Sequence, residues 1–226
     1  SPMSTVNLST QTFEILKNFC TINSSILIRE GTVLKTISIG ENSIAEYNSE
    51  ELFPQTFGIY DLNQFLGGLS LFGNDATLEF GNSNYVTING NGRSAKYYFS
   101  DPEITLNASP EREIIFPDAD FSFNLEYQDL ISLQKASAVY GLPDLLYTAS
   151  ADGTITLSLC DRENDTGNVY SQTLQGESIG DFEMYMKVEN IRVHPGKYNV
   201  QVSDQLITKW QHQSIDLKYY VALEPR

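Results

Sequence analysis

The chain has 226 residues, of which 41% are hydrophobic and 12% aromatic, a composition that fits a globular protein and excludes a disordered one. Its 29 acidic and 14 basic residues give a formal net charge of −15, which argues against a general nucleic-acid coat because phosphate binding requires Lys and Arg. Contact with DNA through a small basic zone stays open. The length allows one large domain or two of about 100 residues.

The chain begins with an amphipathic helix that is followed by three short strands. Ser9 is the expected N-cap of a helix over residues 10–19, whose apolar side chains recur at helical spacing. Turn residues then separate three apolar runs, which predict strands at 24–30, 32–38 and 42–48.

The second helix shows the clearest periodicity. A strand at 57–60 leads into a helix over 61–71. Its apolar side chains stand at i, i+3, i+4 and i+7: Leu62, Phe65, Leu66 and Leu69. The other positions are polar and nearly uncharged, so the helix buries one face and presents a polar one. Three strands are predicted after it, at 76–80, 84–90 and 93–99, and the Asn-Gly-Asn-Gly run at 89–92 predicts a hairpin turn.

The regular pattern breaks at 101–117, a segment that contains Pro102, Pro110 and Pro117 and charges of both signs. Such segments are typical of domain boundaries. The sequence therefore predicts an N-terminal domain over 3–100, a connector over 101–117 and a C-terminal domain over 118–226.

The second half repeats the plan of the first. A strand at 121–127 precedes a helix over 128–140 that Gly141 and Pro143 end. Further strands are predicted at 144–150, 154–160, 168–175 and 182–188. A short fourth helix is expected from about Val188, stopped by Pro195, and the chain closes with strands at 198–203, 206–211 and 215–223. Each half thus predicts two β-α-β-β-β units in an α+β fold.

Motifs for catalysis or metal binding are not found. His194 and His212 are the only histidines, and neither stands at metal-ligand spacing with a Cys or the other His. The alternation of Asp161, Glu163 and Asp165 is reminiscent of a calcium loop, but the next Gly comes one place late and a Gln replaces the closing Glu, which favours a solvated hairpin tip. The sequence predicts a protein that is not an enzyme, with no cofactor and no metal.

Cys20 and Cys160 are expected to be reduced thiols, because no secretory signal is found. No apolar run approaches the roughly 20 residues that a membrane span requires, so no membrane partner is expected. Ser1 and Pro2, which precede Met3, are expected to be a remnant of an expression tag.

The predicted helices and their starts are less acidic than the remainder of the chain. They hold 4 of the 14 basic and 5 of the 29 acidic residues. The basic ones are Lys17, Lys135, Lys187 and Arg192. A near-neutral helical layer beside acidic sheets and loops is the resulting prediction, with an ordinary solvated helix face as the alternative.

Four separated segments, in order along the chain, resemble the DNA polymerase sliding clamps of T-even-type tailed bacteriophages. They read LKNFCTINSSILIREG at 16–31, IYDLNQFLGGLSL at 59–71, HPGKYNV at 194–200 and YYVALEP at 219–225. The stretch 73–115 matches less clearly, and the short polar extension expected after the last strand is missing. The resemblance indicates a divergent member of that family.

The resemblance implies a homotrimeric ring with helices lining the hole and sheets outside. Three chains with four helices each, spaced about 9 Å apart, would form a circle roughly 34 Å across. Subtracting about 5 Å of helix radius on each side leaves about 24 Å, which passes duplex DNA loosely. Such a ring encircles DNA without reading its sequence and tethers the replicative polymerase for processive synthesis.

The resemblance also implies partners and a place of action. The partners are duplex DNA, a DNA polymerase, a clamp-loader ATPase and RNA polymerase-associated factors of late viral transcription, and the place is the cytoplasm of the infected bacterium. The DNA-facing residues would be Lys17, Lys135, Lys187 and Arg192. A pocket for partner peptides would comprise Ile39, Ile44, Ile104, Leu106, Val221, Ala222, Leu223 and Pro225.

Trimer contacts would join the strand edge at 93–100 of one copy to the edge at 168–175 of the next. The residues concerned would be Lys96, Tyr97, Tyr98, Phe99, Val169, Tyr170, Thr173 and Leu174. Two other functions stay open on the sequence alone. A non-enzymatic, acidic, β-rich, trimeric phage structural protein would share these features, and a carbohydrate-binding module would require the aromatic side chains to cluster on its surface.

Overall fold

A computed structural model describes residues 3–101 and 107–225. The chain divides into two compact units, Ser1–Arg112 (unit 1) and Glu113–Arg226 (unit 2), and the division falls within the 101–117 segment. No helix in the described ranges combines the length and hydropathy needed to cross a membrane.

Unit 1 contains eight strands and two α-helices among its described residues, all of whose strand pairings are antiparallel. In chain order they are β1 (Ser4–Val6), α1 (Thr10–Cys20), β2 (Ile26–Ile28), β3 (Gly31–Ile37), β4 (Ser43–Phe53), β5 (Phe57–Ile59), α2 (Leu62–Ser70), β6 (Thr77–Phe80), β7 (Tyr85–Gly90) and β8 (Arg93–Tyr98). One sheet has the order β1-β6-β7-β8, while β2 pairs with β5 and β3 with β4.

Both helices of unit 1 begin at side-chain caps and bury the predicted face. Ser9 Oγ accepts from the Thr12 N–H at 3.1 Å, and Asp61 Oδ1 accepts from the Gln64 N–H at 2.9 Å. These bonds satisfy N–H groups that a helix start otherwise leaves unpaired. The predicted stripe of α2 is fully buried, and α1 packs on α2 through its own apolar face.

The hairpin between β7 and β8 confirms the turn prediction. Gly90 pairs with Arg93, and the two residues between them, Asn91 and Gly92, have φ angles of 53° and 71°. Positive φ at both central positions is the type I′ geometry, which matches the twist of the flanking strands and favours Asn-Gly. Two features were not predicted: β1, and the extension of β4 from residue 48 to Phe53.

The described residues of unit 2 form nine strands and one α-helix. In chain order they are β9 (Phe121–Leu125), α3 (Tyr127–Tyr140), β10 (Asp144–Ala149), β11 (Thr154–Cys160), β12 (Tyr170–Gln175), β13 (Glu177–Ser178), β14 (Phe182–Lys187), β15 (Tyr198–Ser203), β16 (Ile207–His212) and β17 (Leu217–Ala222). The strands form one sheet of order β12-β11-β10-β14 and a run of order β13-β9-β15-β16-β17. Gly141 ends α3 in the left-handed conformation (φ 63°), as predicted.

The repeats interlock within each unit. The leading strand of the first repeat, β1, joins the sheet of the second repeat, and the leading strand of the second, β5, pairs with β2 of the first. In unit 2, β9 joins the strands of the fourth repeat, and β14 joins those of the third. The two-repeat plan predicted for each half is therefore present. Within each unit, the leading strand of one repeat pairs with strands of the other.

The prediction of a fourth helix was wrong. In its place the structure has a single 3-10 turn, Val188–Asn190, followed by extended chain to Pro195. The available segment is too short for a stable helix, and Pro195 removes a backbone donor.

Side chains from other elements hold this extended segment. Gln134 on α3 donates to the Ile191 carbonyl at 3.4 Å. The His194 N–H donates to Tyr219 Oη at 3.0 Å, and the His194 carbonyl accepts from Tyr198 Oη at 2.6 Å. Because tertiary contacts satisfy these backbone groups, helical hydrogen bonds are not needed. Burial raises the pKa of both tyrosines, so each phenol stays protonated.

Candidate functional site

The outward faces of the three α-helices in the described ranges are close to neutral. Along α1, α2 and α3 the only charged side chains are Glu14, Lys17, Asp129 and Lys135, two of each sign. The exposed positions of α2 are polar or small. The remaining 27 acidic residues of the chain lie outside these helices, as follows from the total of 29. The near neutrality predicted for the helices therefore holds for these three, while their arrangement in one layer stays a prediction.

Lys17 and Lys135 both lie on exposed helix faces. Lys17 is in the last turn of α1, with its ammonium 6.0 Å from the centre of the Phe13 ring. Lys135 lies in the middle of α3, between the buried Leu133 and Ala136. A cation near a helix C-terminus is also favoured by the backbone dipole, so the position of Lys17 has a structural reason as well.

Lys187 was predicted on a helix start, and the structure corrects this. It ends strand β14, and its ammonium donates to Asp144 Oδ1 at 2.9 Å. That hydrogen bond raises the pKa of Lys187. Asp144 is buried, and its other oxygen accepts from the Arg162 N–H at 2.9 Å. Lys187 therefore compensates a buried carboxylate. The sequence offered no signal for this pair, because the two residues are 43 positions apart.

Arg192 is exposed and follows the 3-10 turn, where its Nε donates to the Glu189 carbonyl at 2.8 Å. It too lies outside any helix. Of the four predicted DNA-facing residues, Lys17 and Lys135 lie on helices. Their contact with DNA stays a prediction.

The unit 1 part of the predicted peptide pocket lies beside β3 and β4. Ile39, at the turn between these strands, is 77% exposed, and Ile44 is half-buried at the start of β4. Ile104 and Leu106 lie outside the described residues. The chain that follows them is held on unit 1, since Arg29 Nη2 donates to the Ser109 carbonyl at 2.7 Å.

Two more contacts fix this segment. Asn23 Nδ2 donates to the Asn107 carbonyl at 3.3 Å, and Lys35 Nζ donates to the Glu111 carbonyl at 3.2 Å. Arg29 and Lys35 therefore have a structural role in seating residues 107–112. No sequence pattern indicated this role.

The unit 2 part of the predicted pocket lies at the end of the chain. Val221 and Leu223 are buried, Ala222 is half-buried and Pro225 is exposed. The Glu224 N–H donates to the Tyr185 carbonyl at 2.7 Å, which ties the tail to strand β14. The buried side chains act as core residues of unit 2. Binding of a peptide here stays a prediction.

The strands predicted to form the trimer contact are both at sheet edges. In the described part of the chain, β8 is the last strand of the order β1-β6-β7-β8, and β12 is the first of β12-β11-β10-β14. Tyr98 is 65% and Val169 is 64% exposed. Lys96 lies 4.7 Å over the Tyr85 ring, whereas Phe99 packs on Phe57 at 5.0 Å. Unpaired edges of this kind are ready to accept another strand.

Hydrogen-bond alternation shows which residues face outward along these edges. The Phe99 N–H donates to the Asn84 carbonyl, and the Gly176 N–H donates to the Gly153 carbonyl. The pairs Phe99–Asn84 and Gly176–Gly153 are therefore hydrogen-bonded pairs of their antiparallel ladders. Counting along the antiparallel registers, the backbone groups that point away from the sheet belong to Ser94, Lys96 and Tyr98 on β8 and to Ser171, Thr173 and Gln175 on β12.

Comparisons with known proteins place this geometry among related chains. A family model described as DNA polymerase processivity factor matches residues 9–99. The chain is 31% identical over 225 residues to the sliding clamp of Vibrio phage KVP40, covering 97% of this chain and 99% of that one. It is 29% identical over 226 residues to the sliding clamp of Escherichia phage RB69, with 97% of each covered.

The fold itself is found in more distant structures. PCNA from Thermococcus kodakaraensis superposes with a TM-score of 0.72 at 15% identity, covering 99% of this chain and all of the other. At this identity the likeness concerns the fold alone. The chain therefore shares its α+β fold with these proteins.

Proposed function

Since the chain belongs to the sliding-clamp family of DNA polymerase processivity factors, we propose that three copies close into a ring that encircles duplex DNA and tethers a polymerase to it. The observation that carries the proposal is the likeness to phage clamps over 97% of the chain. The ring would hold DNA by topology, and no catalytic step by the clamp itself is required.

The charge distribution supports a ring that slides. With two lysines and two carboxylates on α1, α2 and α3 together, each copy would offer the duplex an almost neutral face. Every phosphate contact adds affinity that must be broken for the ring to move, and it adds to the salt dependence of binding. A lining with few cations therefore allows motion along DNA, while the acidic remainder of the chain repels DNA from other surfaces.

The proposed topological hold is tested with DNA circles. The protein is loaded by a clamp-loader ATPase onto a nicked circular duplex, and the amount retained is measured by gel filtration before and after the circle is cut once. We expect retention on the circle and loss after linearisation. Equal retention on both forms would contradict encirclement, and it would indicate ordinary DNA binding or a structural protein.

The proposed subunit contact joins the edges of β8 and β12. The backbone N–H of Thr173 points away from its sheet, so Thr173→Pro removes a donor from the free edge and leaves the β11–β12 ladder intact. We expect this variant to remain at 25.3 kDa in light scattering at concentrations where the natural chain runs near 76 kDa, three times that mass. The introduction of a charge by Tyr97→Asp is expected to act in the same way.

We further propose that polymerase, loader and late-transcription factors dock short apolar segments near Ile39 and the 107–112 segment. Ile39 is 77% exposed and has no core role. Ile39→Asp should therefore reduce polymerase processivity while leaving retention on DNA circles intact. Loss of both would show that the change damages the ring itself, and loss of neither would exclude this location.

A further inference from the structure

Strand β12 carries a buried polar atom that lacks a partner. Within the described ranges, Gln172 Oε1 is the one buried side-chain nitrogen or oxygen without a hydrogen bond. Gln172 is opposite Leu157, which is fully buried, so its side chain points to the apolar side of the sheet. A buried acceptor without a donor destabilises the state that contains it. A hydrogen-bond donor that reached Gln172 Oε1 would therefore be stabilising relative to the isolated chain.

The other edge strand provides such a donor. On β8 the side chains that share the core-facing side are Arg93, Ala95 and Tyr97, since Ala95 and Tyr97 are opposite the buried Ile88 and Val86. Tyr97 Oη already donates to the Asp61 carbonyl, and Ala95 has no polar group. Arg93 is exposed, has no recorded hydrogen bond or ion pair in the described part of the chain, and carries five N–H donors.

We propose that Arg93 of one copy donates to Gln172 Oε1 of the next, and that this pair sets the register of the subunit contact. The inference rests on the ring proposed above. Pairing is antiparallel, as in the ladders within each unit, with Ala95 opposite Gln172 and Arg93 two residues along on the same face. A diagonal neighbour lies about 7–8 Å away in such a pair, within reach of an Arg side chain.

The supply of hydrogen-bond donors favours this register over the one shifted toward Tyr97. Core-facing side chains must meet core-facing side chains, so the register can change only in steps of two residues. A shift by one step places Tyr97 opposite Gln172. In that shifted register the Tyr97 hydroxyl already donates to the Asp61 carbonyl, and the diagonal residues, Ala95 and Phe99, carry no side-chain donor, so Gln172 Oε1 would stay unpaired. The proposed register also brings Tyr97 opposite Tyr170, an aromatic pair that favours it.

The substitution Gln172→Met should stabilise the single chain and weaken the association of copies. It removes the unsatisfied oxygen and keeps the volume of the side chain, so the single chain, measured at high dilution, should melt about 2 °C or more higher. Association should weaken at least tenfold in sedimentation or light scattering across a dilution series. The matched control is Gln128→Met on α3, which is exposed, lies on neither edge strand, and should change neither quantity appreciably.

A double-mutant cycle identifies the donor. Arg93→Met should weaken association about as much as Gln172→Met, and the double variant should be no worse than either alone. Independent, multiplying effects would overturn the pairing, as would a Gln172→Met variant that associates as tightly as the natural chain. If the natural chain never exceeds 25.3 kDa, the ring fails and the pairing with it. If the ring forms and only Gln172→Met is silent, the pairing alone is wrong.

Cysteine pairs test the register directly. Tyr98 and Val169, both exposed, are opposite each other in the proposed register, so Tyr98→Cys with Val169→Cys should crosslink under mild oxidation. Tyr98→Cys with Ser171→Cys belongs to the shifted register and should not. The natural chain, with Cys20 and Cys160 only, is the control. Crosslinking of the second pair in preference to the first would overturn the register.

Discussion

Units 1 and 2 start from the same two-repeat plan and complete it differently. Unit 1 forms two capped α-helices that pack on each other through aliphatic and aromatic side chains. Unit 2 forms one longer helix, and its second helical position is a 3-10 turn and extended chain. A repeat therefore does not require a helix to keep its fold. The strands are retained in both units, and what fills the helical position depends on local hydrogen-bond partners.

The partners differ in kind. In unit 1 the helix ends are satisfied by capping side chains next to them in sequence. In unit 2 the extended segment depends on side chains from α3, β15, β16 and β17, which the fold brings together from distant positions. His212 on β16 is one of them, since its Nε2 lies 3.0 Å from the Pro195 carbonyl while Nδ1 accepts from the Ser214 N–H at 3.0 Å. The conformation of this segment in unit 2 therefore depends on tertiary contacts, whereas the helices of unit 1 begin at hydrogen bonds between residues close in sequence.

The largest loss of stability is expected from a substitution that disrupts the turn of unit 2. Gly196 has a φ of 152°, and a Cβ there would collide with His212 Nε2. The imidazole cannot move away because both of its nitrogens are hydrogen-bonded. Gly196→Ala should lower the free energy of unfolding by about 3 kcal/mol. Urea unfolding followed by the fluorescence of Trp210, which is buried in unit 2, measures it. A loss below about 1 kcal/mol would show that the turn is adaptable.

A smaller loss of stability should distinguish the N-terminus of α2 from that of α3. Asp61→Ala removes the side-chain cap of α2 and should cost about 1 kcal/mol. Glu126 occupies the same position before α3 but makes no capping hydrogen bond, so Glu126→Ala should cost only a few tenths of a kcal/mol. Thermal unfolding of both variants gives the comparison. Equal losses would contradict the difference drawn between the two starts.

The smallest effect has the opposite sign. Gly67 lies inside α2, and a Cβ at this position meets no atom within 4 Å. Gly67→Ala should therefore raise the free energy of unfolding by about 0.5–1 kcal/mol, because Gly is a poor helix former. Calorimetry measures the shift. The substitution also serves as the control for Gly196→Ala, since both add one methyl group.

Sequence patterns predicted what is encoded locally. The spacing of Leu62, Phe65, Leu66 and Leu69 predicted α2, Ser9 predicted the start of α1, and Asn91-Gly92 predicted the hairpin, all of which the structure confirms. The short strands β1 and β13 were missed because two or three residues carry no periodicity. The error at Val188 arose because the apolar pattern there serves the core without a helix.

The candidate site was less accessible to sequence patterns. Lys17 and Lys135 were found because they stand on periodic helices. Lys187 was misplaced because its partner, Asp144, is adjacent only after β10 and β14 pair. Gln172 and Arg93 gave no signal at all, since a missing hydrogen bond becomes visible only once the surrounding atoms are placed.

The two free edges, β8 and β12, are different strands with different side chains, and this has a consequence for symmetry. A contact that joins unlike surfaces is heterologous, and it yields a closed ring only if the rotation returns to its start. A ring built head to tail has two non-equivalent faces. It can therefore be threaded on a duplex in two opposite orientations, and a protein that recognises one face also distinguishes the direction in which the ring points along the DNA.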